Sequence, residues 1–400
     1  MRLLHLSDLH LGYRQYQRLT PGGMNQREAD VAGTFRRAID LAIERRPDLV
    51  LIGGDIFHQV RPANPAILAA FRQFTRLVMA LPDVRVVMVA GNHDAPRTSE
   101  TGCILRLFGE LDRVTVVDAA AQRLMLPELD LSILAVPGPI LDREADLSPE
   151  PSARYNVLLL HGEIEGMLPR YLRMGDRAAL EIPAERIAAE RWSYVALGHY
   201  HVYRSMAPNA FYSGSLDYTS SNFWGELAEE REAGLPGKGM IEYDLATGVH
   251  RFHHLPATRS VVDLPPLAVR GMAAAEIDRA IRAAVDACPG GIDDAIVRLL
   301  VRDVPRHISR ELDHRALREY RRRALHFHLD TRKPDIVRVS AQGAPGKRAS
   351  LADTVREQLR TRLVESDIDR DALVELGLHY LAEAERVPEG AGLALDGAGG

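Results

Sequence analysis

The sequence predicts an α/β fold, and three observations carry that prediction. Strand-sized apolar runs alternate with amphipathic helical stretches through the first half of the chain. The apolar runs read as buried strands, each ending in a short cluster of Gly, Asp, Asn or His. Near Leu255 the composition shifts to a proline-punctuated stretch, and a second, smaller unit follows.

Residues 2–7 form the first strand, and a polar insert at 12–25 reads as a loop. From 27 to 46, Val31, Phe35, Ile39 and Ile43 recur every fourth residue and define one apolar helix face. Pro47 ends that helix, and a strand follows at 48–52. A second helix at 65–79 leads through Pro82 to a strand at 84–90. This β-α-β-α-β order predicts a sheet covered by helices on both faces. Further strand-like segments lie at 113–117, 131–136, 155–160 and 194–197, and 239–243 with 248–254 reads as a hairpin turning through Ala246-Thr247-Gly248. Pro265-Pro266 punctuates 256–270; beyond it come a helix at 273–288, a strand at 294–301 and an Arg-rich helix at 313–325. A Gly/Pro linker at 342–347, a helical pair at 351–365 and 369–385, and a Gly/Ala-rich tail at 388–400 that reads as disordered complete the chain. The divisions expected are 1–255, 256–340, 341–387 and 388–400.

At 400 residues, two or three domains are expected. The longest apolar runs, such as 84–90, are far too short to span a bilayer. Asp8 interrupts the opening apolar run and no cleavage site follows, so no secretory leader is expected. Cys103 and Cys288 are the only cysteines, which excludes a disulfide framework and suits a reducing cytoplasm. A net charge of −5 argues against coating nucleic acid by bulk electrostatics. A metal centre supplies local positive charge, so phosphate binding at one point stays open.

Five motifs end apolar runs: Asp8-Leu9-His10, Gly53-Gly54-Asp55, Gly91-Asn92-His93-Asp94, His161-Gly162-Glu163 and Gly198-His199-Tyr200-His201. Singly, each is an ordinary turn or a structural histidine. Together they gather beyond the carboxyl ends of strands, where α/β sheets collect ligands. Asp8 and His10 are two apart, as are His199 and His201, so in extended chain each pair points one way. Imidazole with carboxylate selects manganese, iron or zinc over calcium or magnesium. Such a centre with two divalent ions is suited to cleaving a phosphodiester. Asp55 is the expected bridge between the ions, with Asp8, His10 and His201 on one and Asn92, His161 and His199 on the other. His93 is the expected non-ligand histidine at the leaving oxygen, oriented by Asp94. His58 either approaches the site or packs on Phe57. The Arg-rich run 302–333 is either a solvated face or a phosphate-tracking surface. The leucine face of 351–385 is either ordinary packing or a docking helix.

These motifs resemble the calcineurin-like metallophosphoesterase superfamily. Asp8-Leu9-His10-Leu11-Gly12-Tyr13, Gly54-Asp55-Ile56-Phe57-His58 with Arg61-Pro62, and Tyr212-Ser213-Gly214-Ser215 resemble, more closely, the SbcD-type DNA double-strand-break repair exonuclease subunits. The resemblance implies a four-layer α-β-β-α sandwich, a smaller α+β capping domain that touches DNA, and a C-terminal helical segment that docks on an SbcC-like coiled-coil ATPase. It also implies two divalent ions, manganese in this family, acting in an exonuclease and endonuclease at DNA ends. The family's catalytic histidine matches His93, and the one implicated in exonuclease activity matches His58. Leu216 stands where the family usually has proline, and 217–226 is longer than the usual loop. Two other readings compete: a small-substrate phosphodiesterase on the same centre, and a non-catalytic scaffold that tethers DNA ends. A homodimer is compatible with the sequence.

Overall fold

The structure is a computed structural model, and it describes residues 1–96, 102–138, 146–166, 181–334, 351–361 and 369–386. The expected linker at 342–347 and tail at 388–400 lie outside the described residues.

The chain opens with β1 (Arg2–Leu6), α1 (Gln26–Arg45), β2 (Leu49–Ile52), α2 (Asn64–Ala80), β3 (Arg85–Val89) and β4 (Val114–Val117). Asn25 caps α1 by accepting from the backbone of Arg27 and Glu28, and Arg46 ends it in left-handed backbone before Pro47. Next come β5 (Gln122–Leu126), β6 (Leu131–Val136), β7 (Tyr155–His161), β8 (Glu163–Ile164), β9 (Glu181–Ile182), α3 (Ala184–Ile187), β10 (Tyr194–Gly198), β11 (Arg204–Ala207) and β12 (Ala210–Tyr212). After α4 (Phe223–Glu232), β13 (Gly239–Asp244) and β14 (His250–His254) form the expected hairpin.

Two six-stranded sheets result, ordered β14-β13-β1-β2-β3-β4 and β11-β12-β10-β7-β6-β5. They stack face to face. Leu3, Leu49, Leu51, Val87 and Val89 of the first meet Ile133, Ala135, Val157, Leu159, Tyr194 and Ala196 of the second. The alternate residues face outward: Leu4, Val50, Ile52, Val86 and Met88 against α1 and α2, and Leu134, Leu158, Leu160, Val195 and Leu197 under Ile182, Ile187 and Trp192. Burial on both faces is why these strands read as unbroken apolar runs.

Helices do not cover both faces of the first sheet, as the strand–helix alternation suggested. β1 to β4 are parallel and stand in sequence order, so successive right-handed crossovers place α1 and α2 on the same face. The other face is taken by the second sheet.

Beyond Leu255 lie β15 (Val261–Ala268), α5 (Ala274–Asp286), β16 (Ile296–Arg302), α6 (Arg306–Glu311), α7 (His314–Arg323) and β17 (His326–Thr331). The three strands form a parallel sheet with its own core, including Ile277, Ile281, Leu317 and Phe327. β15 is a strand the sequence did not reveal. Its Pro265-Pro266 falls where the register shifts, on an edge strand, where missing N–H donors are tolerated. All these elements belong to one compact unit, Met1–Pro334. A separate unit holds α8 (Leu351–Thr361) and α9 (Arg370–Arg386), which pack on each other where Leu359 meets Gly377. Among the described residues, no helix is long and apolar enough to cross a membrane.

Candidate metal centre

The carboxyl ends of β1, β2 and β3 meet those of β7 and β10 along one edge of the stacked sheets, and all five motifs fall there. Irregular backbone pairing holds the first two loops together. Asp8 N–H donates to Gly54 O, His10 N–H to Asp55 O, Leu11 N–H to Ile56 O, and His58 N–H to Leu11 O.

The expected extended geometry at Asp8 and His10 is not what forms. β1 ends at Leu6, and Asp8 and His10 both adopt left-handed backbone, as do Asp55 and His199. The loops turn sharply at each of these residues, and their side chains converge through that turning rather than through strand alternation. Gly91 is required by the same crowding: a Cβ there would fall on the Asp55 carboxylate.

Donor atoms from distant segments converge. His10 Nε2 lies 3.1 Å from His201 Nε2, and Asp8 Oδ1 lies 3.9 Å from His201 Nε2. His161 Nε2 lies 3.0 Å from Asn92 Oδ1, which is 3.3 Å from His199 Nδ1. Asp55 Oδ2 stands between the two groups, 3.9 Å from His10 Nε2 and 3.6 Å from His161 Nε2. Asp8, His10 and His201 lie close enough to share an ion, as do Asp8, Asp55 and His161.

The far side of each group is fixed. His161 Nδ1 lies 2.6 Å from Gly53 O and donates to it, which leaves Nε2 as the open nitrogen. Ser7 Oγ donates to Asp8 Oδ2 at 2.6 Å, and His199 N–H donates to the same carboxylate. Burial, then the neighbouring histidines, push the His10 imidazole well below its ordinary pKa, which keeps it neutral and able to bind a cation. Burial pushes the Asp55 carboxyl up, against the attraction of His161 and His93. Buried carboxylates and imidazoles facing one another are a donor set that fits divalent metal ions.

His93 and His58 stand beside His10, with ring centroids 4.9 Å and 5.4 Å from it, and the three could themselves hold an ion. His93 N–H donates to Asp55 Oδ1 at 2.8 Å, and its Nδ1 lies 2.9 Å from His58 O. His58 does not simply pack on Phe57. Its ring stacks on that of His93 and its Nδ1 lies 3.4 Å from His10 Nδ1.

Asp94 was expected to orient His93 directly, but its contacts are different. Its carboxylate accepts from the backbone N–H groups of Gly91, Ile56 and Phe57, at 2.9–3.1 Å. It thereby ties the loop after β3 to the loop after β2, and sets His93 by holding the turn that carries it. Burial and the Asp55 charge push the Asp94 carboxyl up to about 7, against those N–H groups.

Three neighbours of the centre carried no signal in the sequence. Ser7, Glu226 and Lys238 are buried, and the last two come from α4 and the start of the β13 segment. The stretch 217–226, expected as a loop, leads into α4 from Phe223, and its Asp217 is buried against Arg27 at 2.9 Å. Leu216 packs in the core under α1 and α2.

The profile of the calcineurin-like phosphoesterase family matches residues 1–228, and the chain belongs to that family. The chain is similar to the DNA double-strand break repair protein Mre11 of Sulfurisphaera tokodaii, 31% identical over 206 residues, covering 51% of this chain and 49% of that protein. It is likewise similar to Mre11 of Methanocaldococcus jannaschii, 28% identical over 254 residues, 62% of this chain and 63% of that one. The Thermoplasma acidophilum protein of the same name is 28% identical over 263 residues, 61% of this chain and 62% of that one. The chain therefore spans between 49% and 63% of the length of these curated relatives.

Proposed function

We propose that this chain is the nuclease subunit of a DNA double-strand-break repair machine, hydrolysing phosphodiester bonds at DNA ends. The observation that carries this reading is the convergence of Asp8, His10, Asp55, Asn92, His161, His199 and His201 at one sheet edge, with His93 beside them. Asp8, His10 and His201 would hold one ion, Asn92, His161 and His199 the other, and Asp55 both. Manganese is the metal proposed. Two divalent ions bound there would supply an activated water and positive charge for the phosphate oxygens.

The chain's own residues do the rest. Asp8 and Asp55 contribute the carboxylate charges of the ligand set, so two divalent ions leave net positive charge toward a phosphate. His93, held by Asp55 and the His58 carbonyl, would give a proton to the leaving oxygen. His58 stacks on His93 and limits its rotation. Asp94 is a positioning residue that fixes the turn at Gly91–Asp94.

DNA as substrate is supported by the names of the relatives and by the unit at 256–340, proposed as a capping domain. On its helix α7, Arg315, Arg318 and Arg321 face solvent, as phosphate-tracking residues would. Other arginines of that run are engaged in ion pairs, Arg322 with Glu319 and Arg323 with Asp293. The helical segment at 341–387 is proposed to dock on a coiled-coil ATPase.

The test is hydrolysis with added manganese, comparing linear double-stranded DNA with bis-p-nitrophenyl phosphate and 2′,3′-cyclic nucleotides. Degradation of DNA from its ends is expected, abolished in His93→Ala while bound metal stays at the wild-type level. Turnover of the small esters with DNA untouched, even beside the ATPase, would replace this reading with a small-substrate phosphodiesterase.

A further inference from the structure

Three of the four glutamates of α4, Glu226, Glu229 and Glu230, are at spacings that set them on one helix face. That face is turned inward, with Glu226 and Glu230 each only 3% exposed. Acidic side chains are rarely buried without a partner that requires them there. Their partners surround the turn that carries His201. The Glu226 Oε1 lies 3.2 Å from His201 Nδ1, a contact skewed from ideal hydrogen-bond geometry, and neither atom has another partner among the described residues. Glu226 Oε2 accepts from Lys238 Nζ at 2.6 Å, and the same ammonium donates to His201 O at 2.7 Å. Lys238 is also 3.0 Å from Glu230, whose other oxygen accepts from Tyr218. Glu229 accepts from Tyr200 Oη and from Arg204, on either side of His201 in sequence.

We infer that Glu226 is a positioning residue for His201: it holds the proton on Nδ1 and aims Nε2 at the cation position beside Asp8 and His10, with Lys238 locking both carboxylate and backbone. Glu226 stands behind the ring, on the nitrogen opposite the one facing His10, so it is not itself a ligand. A neutral imidazole carries one proton, and the nitrogen facing a carboxylate is the one that keeps it. His161 is oriented in the same way by the Gly53 carbonyl. The two ion positions thus differ in their support, one backed by a backbone carbonyl and the other by a carboxylate on α4.

This inference rests on the metal-centre reading, and one experiment separates the two. Manganese binding to the full chain is measured by calorimetry for wild type, Glu226→Gln, Glu226→Asp, His201→Ala and the Glu226→Gln/His201→Ala pair. Wild type is expected to bind two ions. Glu226→Gln is expected to weaken one of them by about 10- to 100-fold, as loss of a carboxylate behind a ligand histidine does, and to leave the other unchanged. Adding Glu226→Gln to His201→Ala should cost nothing further, because the carboxylate acts only through that ring. Glu226→Asp keeps the charge for Lys238 and withdraws the carboxylate from the ring, and it should weaken the same ion. It also serves in the comparison where Glu226→Gln fails to fold. Wild-type affinity in Glu226→Asp, equal weakening of both ions, or additive losses in the pair would each overturn the positioning role. A wild-type chain that binds no manganese would instead overturn the metal centre itself.

Discussion

Asp8, His10, Asp55 and His199 hold φ angles of 53°, 45°, 51° and 101°. Left-handed backbone costs a non-glycine residue on the order of 1–3 kcal/mol and persists only where its surroundings over-determine it. The surroundings here are the inter-loop hydrogen bonds from Asp8 and His10 to the Gly54 and Asp55 carbonyls. Asp55 is the proposed bridge between the two donor groups, because its Oδ2 lies 3.9 Å from His10 Nε2 and 3.6 Å from His161 Nε2. Asp55→Ala is therefore expected to release both ions, read as metal content by elemental analysis after gel filtration. Two ions retained would remove Asp55 from the bridging position. The types of residue at this site were legible in the sequence, because metal chemistry confines them to His, Asp and Asn at strand ends. Their backbone was not legible: two-residue spacing at Asp8 and His10 suggests extended chain, and a histidine gives no local sign of a left-handed turn. Glu226 and Lys238 were illegible for another reason, since only folding brings α4 to the His201 turn.

Among the elements, the sheets and helices of the first half were legible because strands buried on both faces and helices with one apolar face have distinct periods. Which face each helix covers was not, since it follows from strand order, a long-range property. β15 was hidden by its prolines, which mark a turn in most settings and here mark an edge bulge. α1 offers a local test. Its Asn25 side chain accepts from Arg27 N–H at 3.0 Å and donates to Tyr16 O at 2.9 Å, tying the cap to the 12–25 loop. Asn25→Ala should lower stability by about 1 kcal/mol, as lost N-caps do, seen as an earlier urea midpoint with unchanged slope. The opposite end of α1 is tied to β13 by Glu242, which accepts from Arg45 at 2.8 Å and lies 2.7 Å from His253 Nε2. Burial pushes the Glu242 carboxyl up, but Arg45 and His253 outweigh it and hold it below the usual carboxylate range. A depressed carboxyl contributes stability at neutral pH and loses it as pH falls through the folded value. Glu242→Gln should therefore cost about 1 kcal/mol at neutral pH. Urea melts should show that difference shrinking as pH drops through the acid range; a pH-independent difference would assign the loss to packing.

At the scale of the whole molecule, the unit Met1–Pro334 contains every proposed ligand, and the unit carrying α8 and α9 contains none. Within the first unit, the three-stranded sheet is bound to the phosphoesterase sheets by charge and stacking. Arg259 pairs with Asp30 at 2.6 Å, Arg18 with Asp294 at 2.5 Å, and Tyr16 stacks on His326 at 4.1 Å between centroids. Buried Asp30 is itself 3.5 Å from Arg27, which also pairs with Asp217 and donates to Tyr218 O, so this tie runs into the core. Such coupling means the proposed capping unit should hold its place without the helical pair. A chain ending at Gln342 is expected to fold, bind two manganese ions and cleave short linear DNA at the wild-type rate. It should no longer co-purify with the coiled-coil ATPase, because the apolar faces that α8 and α9 would offer are gone. Undiminished binding to the ATPase would move the docking surface into the first unit. Loss of cleavage with both ions still bound would make the helical pair part of the nuclease, and the division near residue 341 would then mark a linker inside one working unit.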